Sequence, residues 1–215
     1  MNKNSLICKY IHANPETWVE DFHNIGIRFK TDGKYTIFKY NYNADFNNVL
    51  AHEARGIILD ENLDVACIGF NKFFNQHEQF ASKINWDDCR VQEKLDGSIV
   101  KLWFDTDKWV WATNGVIYAE NAECMDLMHK NYLELIQDAV NYNDIDYNKL
   151  NTENTYIFEI VDPCMHTVKY PEIKLYHIGT RNNKTLREDN VDIGIEKPKE
   201  YSLHSLEELT QHLWL

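Results

Sequence analysis

Val91-Gln92-Glu93-Lys94-Leu95-Asp96-Gly97-Ser98-Ile99-Val100-Lys101-Leu102-Trp103-Phe104 places a lysine between a short β-like lead-in and a Gly-Ser turn, and an alternating strand follows. A turn lets a phosphate approach the backbone, and flanking strands hold an amine in place. Lys94 is therefore a candidate nucleophile. A free lysine has a pKa near 10.4, so only about one molecule in a few thousand is a nucleophile at pH 7. Desolvation or a cluster of other cations raises that fraction. Arg90 and Lys101 flank Lys94 in sequence, while Arg55, Lys72, Lys169 and Lys174 sit at the edges of other predicted strands. A sheet converging these on one pocket would favour the neutral amine and offset the charge of a polyphosphate. The competing reading of Lys94-Leu95-Asp96-Gly97 is an Asp-Gly β-turn carrying an exposed lysine, and the tetrapeptide alone favours it.

Upstream, Asn14-Pro15-Glu16-Thr17-Trp18 supplies an N-cap residue and a proline at the first helical position; Trp18, Phe22 and Ile25 then recur at helical spacing, with Gly26 as a stop. Ile27–Lys30 and Tyr35–Tyr40 flank Thr31-Asp32-Gly33-Lys34 and predict a hairpin. Arg55–Leu59 and Val65–Phe70 predict a second about Asp60–Asp64, and Ile99–Phe104 with Trp109–Ala112 a third. From Glu120 to about Tyr142 the period becomes helical, with Cys124, Leu127, Met128, Leu135, Ile136 and Ala139 in an apolar stripe expected to lie on a sheet. Residues 141–154 read as a loop, and strands are predicted at Thr155–Val161, Thr167–Tyr170 and Ile173–Ile178. Thr180 to Pro198 is charged and turn-like. Ser205-Leu206-Glu207-Glu208 is a capping box opening a last helix, which runs into Leu213-Trp214-Leu215.

The chain has 215 residues, of which 44% are hydrophobic and 13% aromatic, enough for a packed core and too apolar for a disordered chain. No apolar run reaches membrane-spanning length and the N-terminus lacks a signal-peptide apolar region. The expectation is an intracellular, cytoplasmic protein with no membrane partner. Five scattered cysteines, none in a Cys-x-x-Cys pair, read as reduced thiols, and nine scattered histidines offer no metal-ligand spacing, which leaves any metal site unassigned. A net charge of −12 argues against indiscriminate coating of nucleic acid but permits a local cationic pocket that grips one strand end.

Lys-x-Asp-Gly is the signature of enzymes that carry a nucleotide monophosphate on lysine, and other stretches agree with it in order. Tyr40-Asn41-Tyr42, Ala54-Arg55-Gly56-Ile57-Ile58, Lys72-Phe73-Phe74-Asn75, Lys94-Leu95-Asp96-Gly97-Ser98, Phe158-Glu159-Ile160-Val161-Asp162-Pro163 and Ile173-Lys174-Leu175-Tyr176-His177-Ile178 are the stretches concerned. From about residue 15 to residue 190 the chain resembles the ATP-dependent RNA ligases of the phage tRNA-repair kind, the RNA ligase 1 family. The resemblance implies an α+β nucleotidyltransferase (ATP-grasp-like ligase) domain of twisted, mostly antiparallel sheets with flanking helices and ATP between the sheets. It implies Lys94 as the residue adenylylated by ATP with Mg²⁺, Arg55, Lys72 and Tyr40 at the nucleotide, and Glu159 on its ribose or a metal. It also implies Asp96 and Gly97, in the lysine turn, and Lys174, in the strand after the acidic motif, as nucleotide-binding residues. The partners implied are RNA ends, those of tRNA among them. Plainer readings stand beside these: Tyr40 and Phe74 as core aromatics, Lys72 as a surface strand residue, Glu159 as the solvent side of a sheet.

Two departures bear on the expectation. Asn114-Gly115 stands where the family places a basic residue before glycine, so one cation is missing or comes from elsewhere. Downstream, no Glu-Gly or Lys-x-Lys motif is recognised; Glu196-Lys197-Pro198-Lys199 has the spacing, but its proline is unsuited to a central strand. Residues 1–215 are therefore expected to form one incomplete domain, truncated at its C-terminus. Its alternatives are a remnant that binds nucleotide or RNA ends without turnover, or one part of a split enzyme completed by a second polypeptide. A capping guanylyltransferase uses the same motif with GTP, and DNA ligases put a glutamate where Gln92 stands.

Overall fold

The computed structural model describes residues 2–125, 128–142, 145–165 and 167–213. In chain order the elements are helices α1 (Leu6–Ala13) and α2 (Trp18–Asn24), strands β1 (Ile27–Asp32) and β2 (Tyr35–Tyr40), and helix α3 (Val49–Glu53). Strands β3 (Arg55–Leu59), β4 (Val65–Cys67), β5 (Val91–Gln92), β6 (Ser98–Asp105) and β7 (Lys108–Thr113) follow, then helix α4 (Tyr132–Tyr142). Strands β8 (Asn154–Val161), β9 (Lys174–Asn182) and β10 (Glu200–Tyr201) and helix α5 (Leu206–Leu213) complete the set. The strands form three antiparallel sheets in the spatial orders β1-β2-β3-β4, β7-β6-β8-β9 and β10-β5.

Local chemistry accounts for the hairpins. Asp32 pairs with Tyr35, leaving Gly33-Lys34 as a two-residue loop whose first residue has φ +58°, the left-handed value that a type II′ turn gives to glycine. Between β3 and β4 the Asp60 carboxylate accepts from the backbone N–H groups of Asn62 and Asp64 at 2.9 and 2.8 Å, folding the polar turn back on itself.

The two four-stranded sheets pack face to face, with helices on both outer sides. Ile7, Cys8, Ile11, Phe22, Leu50 and Ala51 of α1–α3 cover the first sheet, and Leu135, Ile136 and Ala139 of α4 cover the second. Between the sheets lie Tyr35, Ile37, Ile58, Cys67, Trp103 and Ala112. Strand β6 is thus buried on both faces, which is why Val100, Lys101, Leu102 and Trp103 are all fully buried and the expected alternation is lost. Burying a side chain the size of Trp103 stabilises by about 2–3 kcal/mol, so this sandwiched strand is a main source of cohesion.

Several sequence expectations need correction. The helix expected from Glu120 starts only at Tyr132: Ala119–Asn121 is a 3-10 turn, Glu123 and Asn131 form an isolated bridge, and the Asn131 side chain accepts from Glu134 N at 3.0 Å as a cap. Leu135, Ile136 and Ala139 keep their place in the core, Met128 is 80% exposed, and Leu127 lies outside the described residues. Thr167–Tyr170 is not a strand, because Val168 N donates to the Asp96 carboxylate and Tyr170 turns its hydroxyl to Asp96 N. Thr17 and Trp18 donate their N–H groups to Asn14 O, so a turn precedes α2 and its regular part begins at Trp18. Strand β4 ends at Cys67, since Ile68 N donates to the Thr155 hydroxyl instead of a ladder. The capping box does open α5: Glu208 N donates to Ser205 Oγ at 3.1 Å. Trp214 and Leu215, expected to end that helix, lie outside the described residues.

Helix α1, which the periodicity reading passed over, is tied down by a buried carboxylate. Glu53 of α3 accepts from Ser5 Oγ at 2.9 Å and from the N–H groups of Leu6 and Ile7 at 3.2 and 2.8 Å. These are free donors at a helix start, beside which a negative charge is favourable. Glu53→Ala should lower the unfolding free energy by about 2–4 kcal/mol, because buried donors lose a charged partner. The check is a lower urea midpoint with an unchanged m value, against a shift within about 0.5 kcal/mol for the exposed Glu16→Ala.

Candidate active site

The Lys94 segment is not a β-turn hung from the surface. Leu95 is buried, Asp96 N donates to the Tyr170 hydroxyl at 2.9 Å, and the Asp96 carboxylate accepts from Val168 N at 2.8 Å. Gly97 N donates to Glu159 Oε1 at 3.0 Å, and Ser98 enters β6 opposite Ile160 of β8. Glycine is required at 97 by crowding: a Cβ there would lie 2.4 Å from the Ile160 carbonyl oxygen and 2.9 Å from Glu159 Cγ. On its other side the lysine is led in by β5, which pairs with β10, and Glu93 N donates to the oxygen of Lys199, the residue before β10, at 2.8 Å.

These anchors leave Lys94 exposed in a cleft of about 650 Å³. Arg55, Lys72 and Arg90 line it together with Lys94, Glu159, Phe70, Phe73 and Phe74, and Pro198 and Glu188 close it from the segment after β9. Arg55 comes from the start of β3, with its guanidinium 4.8 Å over the Phe73 ring and donating to Asn71 O at 3.2 Å. The Lys72 ammonium lies 4.7 Å over the Phe74 ring and donates to the Phe73 carbonyl. Phe70 sits on β9 where Gly179 leaves room; a Cβ at 179 would be 2.4 Å from Phe70 Cζ.

Glu159 projects from β8 into this cleft and is half-buried. Burial pushes its carboxyl above the ordinary glutamate range, against the Gly97 N–H bond and the charges of Lys94 and Arg55, which favour the anion. Desolvation is the larger effect.

Of the residues singled out in the sequence, Lys94, Glu159, Arg55 and Lys72 thus line one cleft, with Asp96 and Gly97 forming the turn behind the lysine. Tyr40 is placed one ring away: it packs edge-on to Phe46 at 5.1 Å, and Phe46 meets Phe74. Lys174 points elsewhere and pairs with Glu196 at 2.7 Å. Lys169 donates to Cys164 O at 2.9 Å, outside the cleft wall. Lys101, expected beside Lys94, is buried between the sheets and donates to Gly56 O; a Cβ on Gly56, whose φ is +83°, would meet that amine and Asn114 Cα, each at 2.8 Å. Lys101 lies outside the cleft wall, and burial pushes its amine pKa down, so it does not supply the cation missing at Asn114. Phe70, Glu188 and Pro198 were not foreseen as cleft residues: Phe70 was read as the end of a strand that stops at Cys67, and Glu188 and Pro198 lie in a charged, turn-like stretch that reaches the site only through tertiary contact.

A family model described as RNA ligase matches residues 53–207, well over half of the chain. The chain belongs to the RNA ligase family. Among curated proteins, the RNA ligase of Rhodothermus phage RM378 is 30% identical in an alignment 202 positions long that covers 79% of this chain and 46% of that protein. A protein of Autographa californica nuclear polyhedrosis virus, provisionally described as a bifunctional polynucleotide kinase/RNA ligase, is 25% identical over 89% of this chain and 30% of its own length. This ligase-family chain thus spans less than half the length of either relative. Among solved structures, an archaeal ATP-dependent RNA ligase superposes with a TM-score of 0.55 at 13% identity, covering 95% of this chain and 56% of that one. That likeness is one of fold, the α+β ligase architecture of antiparallel sheets with outer helices.

Two outcomes follow from the geometry of the ligase cleft. Gly97→Ala should lower stability by about 2 kcal/mol or more, since backbone on backbone cannot move aside cheaply; urea unfolding measures it. The raised carboxyl of Glu159 means that the native state holds the proton more tightly than the unfolded chain. That stabilisation is present below the ordinary glutamate range and is lost as pH rises through the raised value. Glu159→Gln, which does not titrate, should therefore gain stability relative to the parent protein between about pH 4 and pH 8. A constant difference across that range would remove the desolvation account.

Proposed function

We propose that this chain carries out nucleotidyl transfer in an ATP-dependent RNA ligase, with Lys94 as the nucleophile. The observation that supports it most is the gathering of Lys94, Glu159, Arg55, Lys72 and Arg90 in one cleft whose size suits a nucleotide. The triphosphate would lie against Arg55, Lys72 and Arg90, which offset its charge. The neutral Lys94 amine attacks the α-phosphorus; the N–P bond forms as the bond to the pyrophosphate oxygen breaks, and the lysine proton passes to water. An oxygen of an RNA 5′-phosphate then displaces lysine from the same phosphorus, and an RNA 3′-hydroxyl, losing its proton, attacks the activated 5′-phosphate and releases AMP. Ends of cleaved tRNA are one such substrate.

Glu159, neutral more readily than an exposed glutamate, is suited to hydrogen-bonding a ribose hydroxyl while its other oxygen holds Gly97 N. Asp96 and Gly97 fix the lysine turn. Tyr40 acts through Phe46 and Phe74, at one remove from the nucleotide, while Lys174, paired with Glu196, stands outside the cleft wall. Among the described residues no group of three or more His, Cys, Asp or Glu side chains gathers as a resident metal would need. Mg²⁺ would be held largely by the nucleotide phosphates, where it would offset their charge.

Incubation with ATP labelled at the α-phosphate and Mg²⁺ tests the proposal. Acid-labile label should stay on the protein through a denaturing gel and be lost in Lys94→Ala. Label from GTP instead would make the chain a guanylyltransferase. No label on a folded chain that binds ATP would overturn transfer by this chain alone and leave a remnant that binds without turnover or one part of a split enzyme.

A further inference from the structure

Arg181 of β9 is buried, and among the described residues its hydrogen-bond acceptors are two backbone carbonyls and one side-chain amide, with no carboxylate. Its Nε and Nη2 donate to Leu186 O at 3.1 and 2.6 Å, closing the turn that follows β9. Its Nη1 donates to Gly69 O at 2.6 Å and to Asn71 Oδ1 at 3.1 Å. Burying a guanidinium is costly unless its donors are used. Closing its own turn uses two of them; the third reaches across to the segment that leaves β4.

That segment forms one wall of the cleft. Asn71, clamped at its side chain by Arg181, accepts Arg55 Nη1 on its backbone oxygen at 3.2 Å. Phe73, two residues on, lies under the Arg55 guanidinium. Gly69 is pressed against the Lys101 stem, where an added Cβ would be 3.2 Å from Cδ, so the segment has a firm back wall as well as a clamp.

We propose that Arg181 is a positioning residue for the nucleotide site. Through Gly69 and Asn71 it holds the wall that orients Arg55 and Phe73, without touching the cleft itself. The proposal rests on the cleft being the ATP site, and two measurements separate the two ideas. Asn71 is exposed, so Asn71→Ala removes one end of the clamp with little risk to folding. Arg181→Lys keeps the charge but cannot fork.

With ¹⁵N-arginine side-chain spectra of the protein free of nucleotide, the Arg55 guanidinium should be ordered in the parent protein and averaged by rotation in both variants. Unchanged Arg55 signals in both would overturn the relay whatever ATP does. ATP titration should then show a roughly tenfold weaker dissociation constant in each variant, what one charge-assisted hydrogen bond is worth. Neither variant should weaken binding further once Arg55→Ala is present. Additive losses in that background would assign Arg181 a general structural role. Loss of Arg55 order with no ATP binding by the parent protein would uphold the relay as geometry and remove the nucleotide-site reading with it.

Discussion

The backbone of Gly97 lies so close to β8 that one methyl group would overlap the Ile160 carbonyl. This apposition welds the lysine segment to the β7-β6-β8-β9 sheet. It lets Gly97 N reach Glu159, starts β6 in register with β8, and leaves Lys94 three residues away with its own backbone held from both sides. A side chain at 97 would push the segment off the sheet, and the carboxylate, the lysine and the cations of the facing wall would no longer share one cleft.

Charge is sorted by depth in this chain. Lys101 and Arg181 are buried and bonded to backbone carbonyls, while Arg55, Lys72, Arg90 and Lys94 face the cleft. Backbone oxygens accept from the Arg181 guanidinium and from the Lys101 amine, which burial pushes toward its neutral form, without adding negative charge near the cleft cations of a molecule of net charge −12. The glycines at 56, 69 and 97 serve this sorting, for each lets backbone or a buried amine approach where a side chain would intrude.

Features with a local cause were legible in the sequence. The hairpin about Gly33, the helix stop at Gly26 with φ +77° and the cap at Ser205 depend on neighbours within a few residues. The position of Glu159, opposite in facing to Phe158 and Ile160, followed from strand alternation alone. What failed depends on distant partners. Lys101 was taken for a cleft cation because alternation presumes one solvated face, and β6 has none. Thr167–Tyr170 has strand-like composition, but its groups are engaged by Asp96. The β5–β10 pair is two residues long on each side, too short for any period to register.

That short pair also fixes an order of assembly. Val91 faces Tyr201, and Glu93 hangs from Lys199, so the wall beside Lys94 closes a loop of more than a hundred residues. Such contacts form only after the entropy of that closure has been overcome. During synthesis the sheets and the Gly97 weld can form first, while the lysine faces an open groove until residues near 200 have left the ribosome.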